Sequence, residues 1–231
     1  MVNKENLSDP KVLAHYIDHT LLRPEATREE IEKLCSEALE YRFFGVCVET
    51  QWLTHVLPIL GNGGVKAVTV LDFPKGSSTT KERCEQAAAS AELGAHELDI
   101  VLARRWLHEK NYKALYEDLA SVVRAAGSLP LKVILETSEL TNLEKEIASA
   151  IAKCAGAAYV KTSTGFSKSG ATEGDVRLMR EVVGKDIGVK ASGGIRSYPD
   201  AVKMILAGAS RLGTSASVHI VQATSSPRGG Y

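Results

Sequence analysis

No stretch of this sequence approaches the 18 uninterrupted apolar residues that a membrane-crossing helix requires. The opening segment, MVNKENLSDP, also lacks the apolar centre of a secretory signal. Neither a membrane span nor secretion by that route is expected, which leaves a cytoplasmic protein. Excess charge of either sign is missing too, since Lys plus Arg and Asp plus Glu both number 28. Nucleic acid and anionic membrane surfaces call for a basic surplus, so neither is an expected partner, and any anion must be met by a local site. The four cysteines (Cys35, Cys47, Cys84 and Cys154) form no C-x-x-C pair and no Cys/His cluster at metal-ligand spacing. They read as reduced thiols, with no metal site. No serine sits in a G-x-S-x-G turn, so the histidines are not read as part of a nucleophile triad. No Pro/Ser-rich linker or shift in composition divides the 231 residues, so residues 1–231 are expected to form one domain.

What is present is an alternation. After an amino-terminal helix around residues 9–16, short apolar runs predict strands at Ile17–Leu21, Phe43–Val48, Lys66–Leu71, Glu97–Leu102, Leu131–Glu136, Ala157–Lys161, Gly188–Ala191 and Ser210–Gly213. Amphipathic segments between them predict helices at Thr27–Glu40, Thr79–Leu93, Tyr112–Ala126, Asn142–Cys154, Thr172–Val183, Pro199–Ala207 and Ala216–Ala223. Eight strands alternating with helices point to an α/β fold, a (β/α)8 barrel of the TIM type, more than to an open doubly wound sheet. The tail at about residues 224–231 reads as flexible, either free or a flap over the barrel mouth.

In such a barrel the chemistry gathers at the carboxyl ends of the strands. Lys161 and Lys190 each end an apolar run that opens into small polar residues, Thr162-Ser163-Thr164-Gly165 and Ala191-Ser192-Gly193-Gly194. Alternation lets both point inward. An ammonium within a short apolar strand is costly unless paired or neutralised. If two converge, each makes the other's protonation harder, and a free amine can attack a carbonyl. Asp99 lies inside another strand and needs a cation, for which the two lysines are the obvious partners. A structural ion pair is the alternative. Lys132 and Glu136 alternate onto one face of the fifth strand. Asp18 and Thr20 could meet a substrate hydroxyl, or Asp18 could cap local backbone. Cys47 could equally be a small core residue. Ser192-Gly193-Gly194-Ile195 and Leu212-Gly213-Thr214-Ser215 fit a phosphate cradle, because glycine lets backbone N–H groups approach an anion where a helix begins. Arg196 and Arg211 could add charge there or lie on the surface.

Taken together, IDHTLL (17–22), GVCV (45–48), ELD (97–99), LKVILET (131–137), VKTSTGF (160–166), GVKASGGIR (188–196) and RLGTS (211–215) closely resemble the deoxyribose-phosphate aldolase family, in order over about residues 9–223. The resemblance implies a class I aldolase without cofactor or metal. It would cleave 2-deoxy-D-ribose 5-phosphate reversibly to D-glyceraldehyde 3-phosphate and acetaldehyde. By that resemblance Lys161 forms the Schiff base, Lys190 lowers its pKa and Asp99 takes part in proton transfer. Asp18, Thr20 and Cys47 would face the substrate, while Thr164, Gly165, Gly193, Gly194, Gly213 and Ser215 would surround its phosphate; Lys132 and Thr214, from their places in the strands, are expected to bind substrate beside them. Phe166 and Ala216 stand where relatives carry a basic residue and a second serine. Tyr231 resembles a terminal tyrosine that reaches the site. A homodimer or homotetramer is expected. Two rival readings remain, a ketose-phosphate aldolase and a non-catalytic sugar-phosphate-binding barrel.

Overall fold

The computed structural model describes Leu7 and residues 9–223, so the predicted tail and Tyr231 lie outside the described residues. Eight parallel strands close into a barrel in chain order: β1 Ile17–Leu21, β2 Gly45–Val48, β3 Lys66–Leu71, β4 Glu97–Val101, β5 Leu131–Ile134, β6 Tyr159–Lys161, β7 Gly188–Ser192 and β8 Arg211–Thr214. Closure comes from β8 pairing with β1, Gly213 beside Asp18. The principal helices around it are α1 Arg28–Glu40, α2 Leu53–Leu60, α3 Thr80–Glu92, α4 Arg104–His108, α5 Tyr112–Ala125, α6 Asn142–Cys154, α7 Glu173–Val183, α8 Tyr198–Ala207 and α9 Ser217–Val221.

Local chemistry sets where these helices begin. Thr27, Thr79, Thr141 and Ser197 each cap a helix in a reciprocal box with Glu30, Glu82, Glu144 and Asp200, satisfying otherwise orphaned backbone N–H groups. Apolar side chains of the outer strand faces and inner helix faces, such as Val46, Ile100, Val133, Val160 and Leu212 with Ile31, Leu119 and Met179, form the main core. A smaller apolar cluster of Leu22, Cys47, Val68 and Val70, against which Phe73 packs, is separate from it.

Three differences from the sequence expectation have physical causes. The amino-terminal segment Pro10–Tyr16 is a 3-10 helix rather than an α-helix, with Asp9 as its cap, and runs without a loop into β1. Helix α2 was absent from the expectation because Pro58 interrupts its pattern and removes one helical N–H donor. Strand β5 stops at Ile134 rather than Glu136, because Glu136 adopts a left-handed conformation (φ 52°) that turns the chain out of the ladder.

Asp72, directly after β3, turns away from the barrel chemistry. It accepts from Arg83 Nη1 at 2.7 Å and from the N–H groups of Ser77 and Ser78, while Arg83 Nη2 lies 3.2 Å from Asp118. With Arg83 wholly buried, this triad clamps the loop that carries Phe73.

Candidate active site

The strands bring seven charged side chains together inside the barrel, and six of them form a closed ring of alternating sign. Glu97 meets Lys132 at 2.8 Å, Lys132 meets Asp99 at 2.6 Å, and Asp99 meets Lys190 at 2.8 Å. Lys190 meets Asp18 at 2.5 Å, Asp18 meets Arg211 at 3.0 Å, and Arg211 returns to Glu97 at 3.0 Å. Three cations balance three carboxylates. The seventh group, Lys161, is pendant on the ring, its Nζ donating to Asp99 Oδ2 at 2.9 Å. Lys190 donates to that same oxygen, so the two amines lie within two hydrogen-bond lengths of each other. The sequence expectation that they converge on Asp99 holds.

Burial and charge act against one another in this ring. Burial alone would push the Asp99 carboxyl up, but Lys132, Lys161 and Lys190 outweigh it and hold Asp99 well below the usual carboxylate value. Asp18 is lowered in the same way by Lys190 and Arg211. For Lys190, burial works towards the free amine, yet Asp18 and Asp99 overcome it and raise the group above the ordinary lysine value. Lys132 is raised by Asp99 against its own burial. Mutual repulsion between the lysines therefore does not free Lys190, which stands as a fixed ammonium beside Lys161.

Asp18 neither caps local backbone with its carboxylate nor lies open, since both its oxygens are engaged by Lys190 and Arg211. Thr20 donates its hydroxyl to the carbonyl of Asp18 at 2.9 Å. Cys47 is wholly buried in the apolar cluster beside the ring, and burial pushes its thiol up to about 11. Arg211 is neither a surface residue nor part of the cradle. It lies at the start of β8, stacks its guanidinium 3.2 Å above the Phe44 ring and donates to the Tyr159 hydroxyl. Arg196 is exposed.

Above the lysines the strands open into loops. Gly165, Gly193 and Gly194 all have positive φ, at 94°, 84° and 75°. A side chain on Gly194 would meet nothing within 4 Å, which leaves its backbone open to an approaching group, and Ser215 is exposed at the end of β8. The hydroxyls of Thr164 and Thr214 are turned into the loops instead. Thr214 donates to the carbonyl of Ile195 and accepts from the N–H of Ala216. Thr164 donates both hydroxyl and N–H to Glu136 Oε2, and its hydroxyl accepts from the N–H of Phe166. Phe166 meets Phe73 edge to face at 5.4 Å. A cleft of about 500 Å³ lined by Glu49, Phe73 and Ser78 lies beside this arrangement, with none of the predicted site residues in its wall. Among the described residues no three His, Cys, Asp or Glu side chains are grouped as metal ligands.

Sequence reading missed Glu97, offered Arg211 only as a cradle or surface residue, and gave Glu136 no partner. Glu97 and Arg211 open their strands, where charge usually means solvent. The signal available was the three-lysine excess over Asp99, which demands further carboxylates.

A parallel eight-stranded barrel whose interior holds a pendant lysine amine against a carboxylate and a second, fixed ammonium belongs to the class of barrels equipped for Schiff-base chemistry on carbonyl compounds. The model of the DeoC/LacD family of aldolases matches residues 12–222, and the chain belongs to that family. It is 51% identical over 206 residues to a deoxyribose-phosphate aldolase of Coprothermobacter proteolyticus, covering 89% of this chain and 94% of that one. It is 48% identical over 216 residues to one from Brevibacillus brevis, covering 94% and 98%. Among solved structures, the tetrameric deoxyribose phosphate aldolase of Aeropyrum pernix superposes with a TM-score of 0.87 at 33% identity, covering 94% of this chain and 93% of that one.

Proposed function

We propose that this chain is a class I aldolase that cleaves 2-deoxy-D-ribose 5-phosphate reversibly to D-glyceraldehyde 3-phosphate and acetaldehyde. The observation that carries the reading is the sharing of one Asp99 oxygen by Lys161 and Lys190. Lys161 attacks the C1 aldehyde of the open-chain sugar, and loss of water from the carbinolamine leaves an iminium. That electron sink accepts the pair released when the C2–C3 bond breaks, as the C3 hydroxyl gives up its proton and becomes the aldehyde of the three-carbon product. The enamine left on Lys161 takes a proton at C2, and water then releases acetaldehyde.

Asp99 is a weak base while Lys132, Lys161 and Lys190 surround it. Conversion of Lys161 to a carbinolamine withdraws one of the three, which returns basicity to Asp99 as proton transfer begins. Lys190 donates to both Asp18 and Asp99 beside it, which fixes the carboxylate that Lys161 shares. The glycine turn at Gly193-Gly194, with Gly165 and the end of β8 from Gly213 to Ser215, receives the phosphate through backbone N–H groups. Thr164 supports that cradle through Glu136 rather than through its own hydroxyl. The reading extends to cytoplasmic location and to a homodimer or homotetramer, supported by the tetrameric Aeropyrum pernix relative.

Borohydride trapping tests this directly. Incubation with deoxyribose 5-phosphate and sodium borohydride, followed by intact mass and peptide mapping, is expected to leave a single ethyl group on Lys161. Lys161→Leu is expected to lose the adduct, keep its fold and lose turnover by on the order of 10⁴ or more. An imine on Lys161 that forms with a ketose phosphate and not with deoxyribose 5-phosphate would assign the chain to ketose-phosphate cleavage. Ligand binding without any adduct would make it a non-catalytic barrel.

A further inference from the structure

Ser192 ends strand β7 two residues beyond Lys190, so strand alternation sets its side chain on the same face as that lysine. A Cβ placed on Gly213 would stand 2.5 Å from Ser192 Oγ and 3.1 Å from Lys190 Cε, so the hydroxyl and the lysine chain flank the same point inside β8. The missing side chain at Gly213 is what leaves room for both. Ser192 is 4% exposed, and its Oγ has no hydrogen-bond partner among the described residues. Its backbone, by contrast, is doubly held: the Thr162 hydroxyl donates to the carbonyl and accepts from the N–H, both at 3.0 Å. A buried hydroxyl without a partner is costly, and the bonds to Thr162 fix the backbone from which this one projects. Alanine would serve this position better if packing were its whole role.

Ser192 stands between the lysine amines and the glycine turn that begins at Gly193. A five-carbon sugar phosphate attached to Lys161 at C1, with its phosphate in that turn, must pass its C3 and C4 hydroxyls through this interval. The C3 hydroxyl gives up its proton in the cleavage and belongs with Asp99. We propose that Ser192 Oγ hydrogen-bonds the C4 hydroxyl, which makes Ser192 a substrate-contacting residue that favours acceptor aldehydes with an α-hydroxyl in the condensation direction. This rests on the aldolase reading given above.

The test compares unaltered protein with Ser192→Ala in the addition of acetaldehyde to three acceptors: D-glyceraldehyde 3-phosphate, D-glyceraldehyde and acetaldehyde itself. The expected result is a fall in kcat/KM of about two- to tenfold for both glyceraldehydes, as for loss of one neutral hydrogen bond, and less than twofold for acetaldehyde. The melting temperature should hold or rise, since an unpaired hydroxyl has been removed. An equal fall for all three acceptors, a fall for the phosphorylated acceptor alone, or no change in any would overturn the assignment. Borohydride trapping with acetaldehyde runs alongside. An imine on Lys161 in both proteins keeps the aldolase reading whatever Ser192 does, whereas no imine in the unaltered protein would overturn that reading and the role of Ser192 with it.

Discussion

Replacing Arg211 with methionine opens the ring of charges at its lower edge. Arg211 is 3% exposed, and its guanidinium donates from one nitrogen to both Asp18 and Glu97 at 3.0 Å, while the other nitrogen donates to the Tyr159 hydroxyl. Methionine approximates the aliphatic part of the arginine chain and leaves the Phe44 face covered, so the change is chiefly one of charge. Two ring cations would then face three carboxylates, all of them buried. Removing one partner of a buried pair costs about 3–5 kcal/mol. For a chain of this length, each kcal/mol moves the melting temperature by about 2–4 °C, so a fall of about 6–20 °C is expected by scanning calorimetry or far-ultraviolet circular dichroism. Glu97→Gln in the same background removes the surplus negative charge and should recover part of the loss, whereas the same change alone should destabilise. A fall below about 2 °C for Arg211→Met, or a double variant no better than the single one, would show that the ring does not act as a charge-balanced unit.

The folded-state carboxyls of Asp18 and Asp99 lie below their unfolded values, so the stability they add is present above the usual carboxylate pKa and is lost as pH falls through the lowered values. The urea midpoint should hold steady above about pH 5 and drop steeply below about pH 4; a midpoint unchanged at pH 3 would count against the buried ion pairs. Native-state alkylation with iodoacetamide should label the exposed Cys154 first. Cys35 and Cys47, both buried and with thiols pushed up to about 11, should resist until the protein unfolds. Equal rates at Cys47 and Cys154 would refute that ordering.

Strand alternation was enough to turn Lys132, Lys161, Lys190 and Asp99 inward, because an ionisable side chain two residues from a buried apolar one has only the two faces of a strand to choose between. The barrel followed from the number and order of the strands. Side-chain pairing across 100 or more residues was not legible in the same way. Asp18 was left between substrate and backbone because its partners, Lys190 and Arg211, lie at the far end of the chain and become neighbours only when β8 meets β1. Arg211 looked like a cradle residue from its nearness in sequence to Gly213, yet two residues along a strand carry it about 7 Å down the barrel, away from the loops. Glu136 was expected to continue a strand, since nothing in a glutamate announces a left-handed backbone. The hydroxyls of Thr164 and Thr214 illustrate the same limit, as small polar residues beside glycines serve a ligand and a loop equally well on paper.

The ring is also a lock on the closing of the fold. Its members come from β1, β4, β5, β7 and β8, and its bonds span 172, 193 and 114 residues of chain. No half of the barrel can complete it. Until the last strand docks on the first, at least one carboxylate and one cation would be enclosed without their counterparts, so a partly closed barrel gains by staying wet and open. The charges that surround Lys161 thus tie its reactivity to the finished structure: a chain still folding carries the lysine, but not the environment that would let it trap cellular aldehydes.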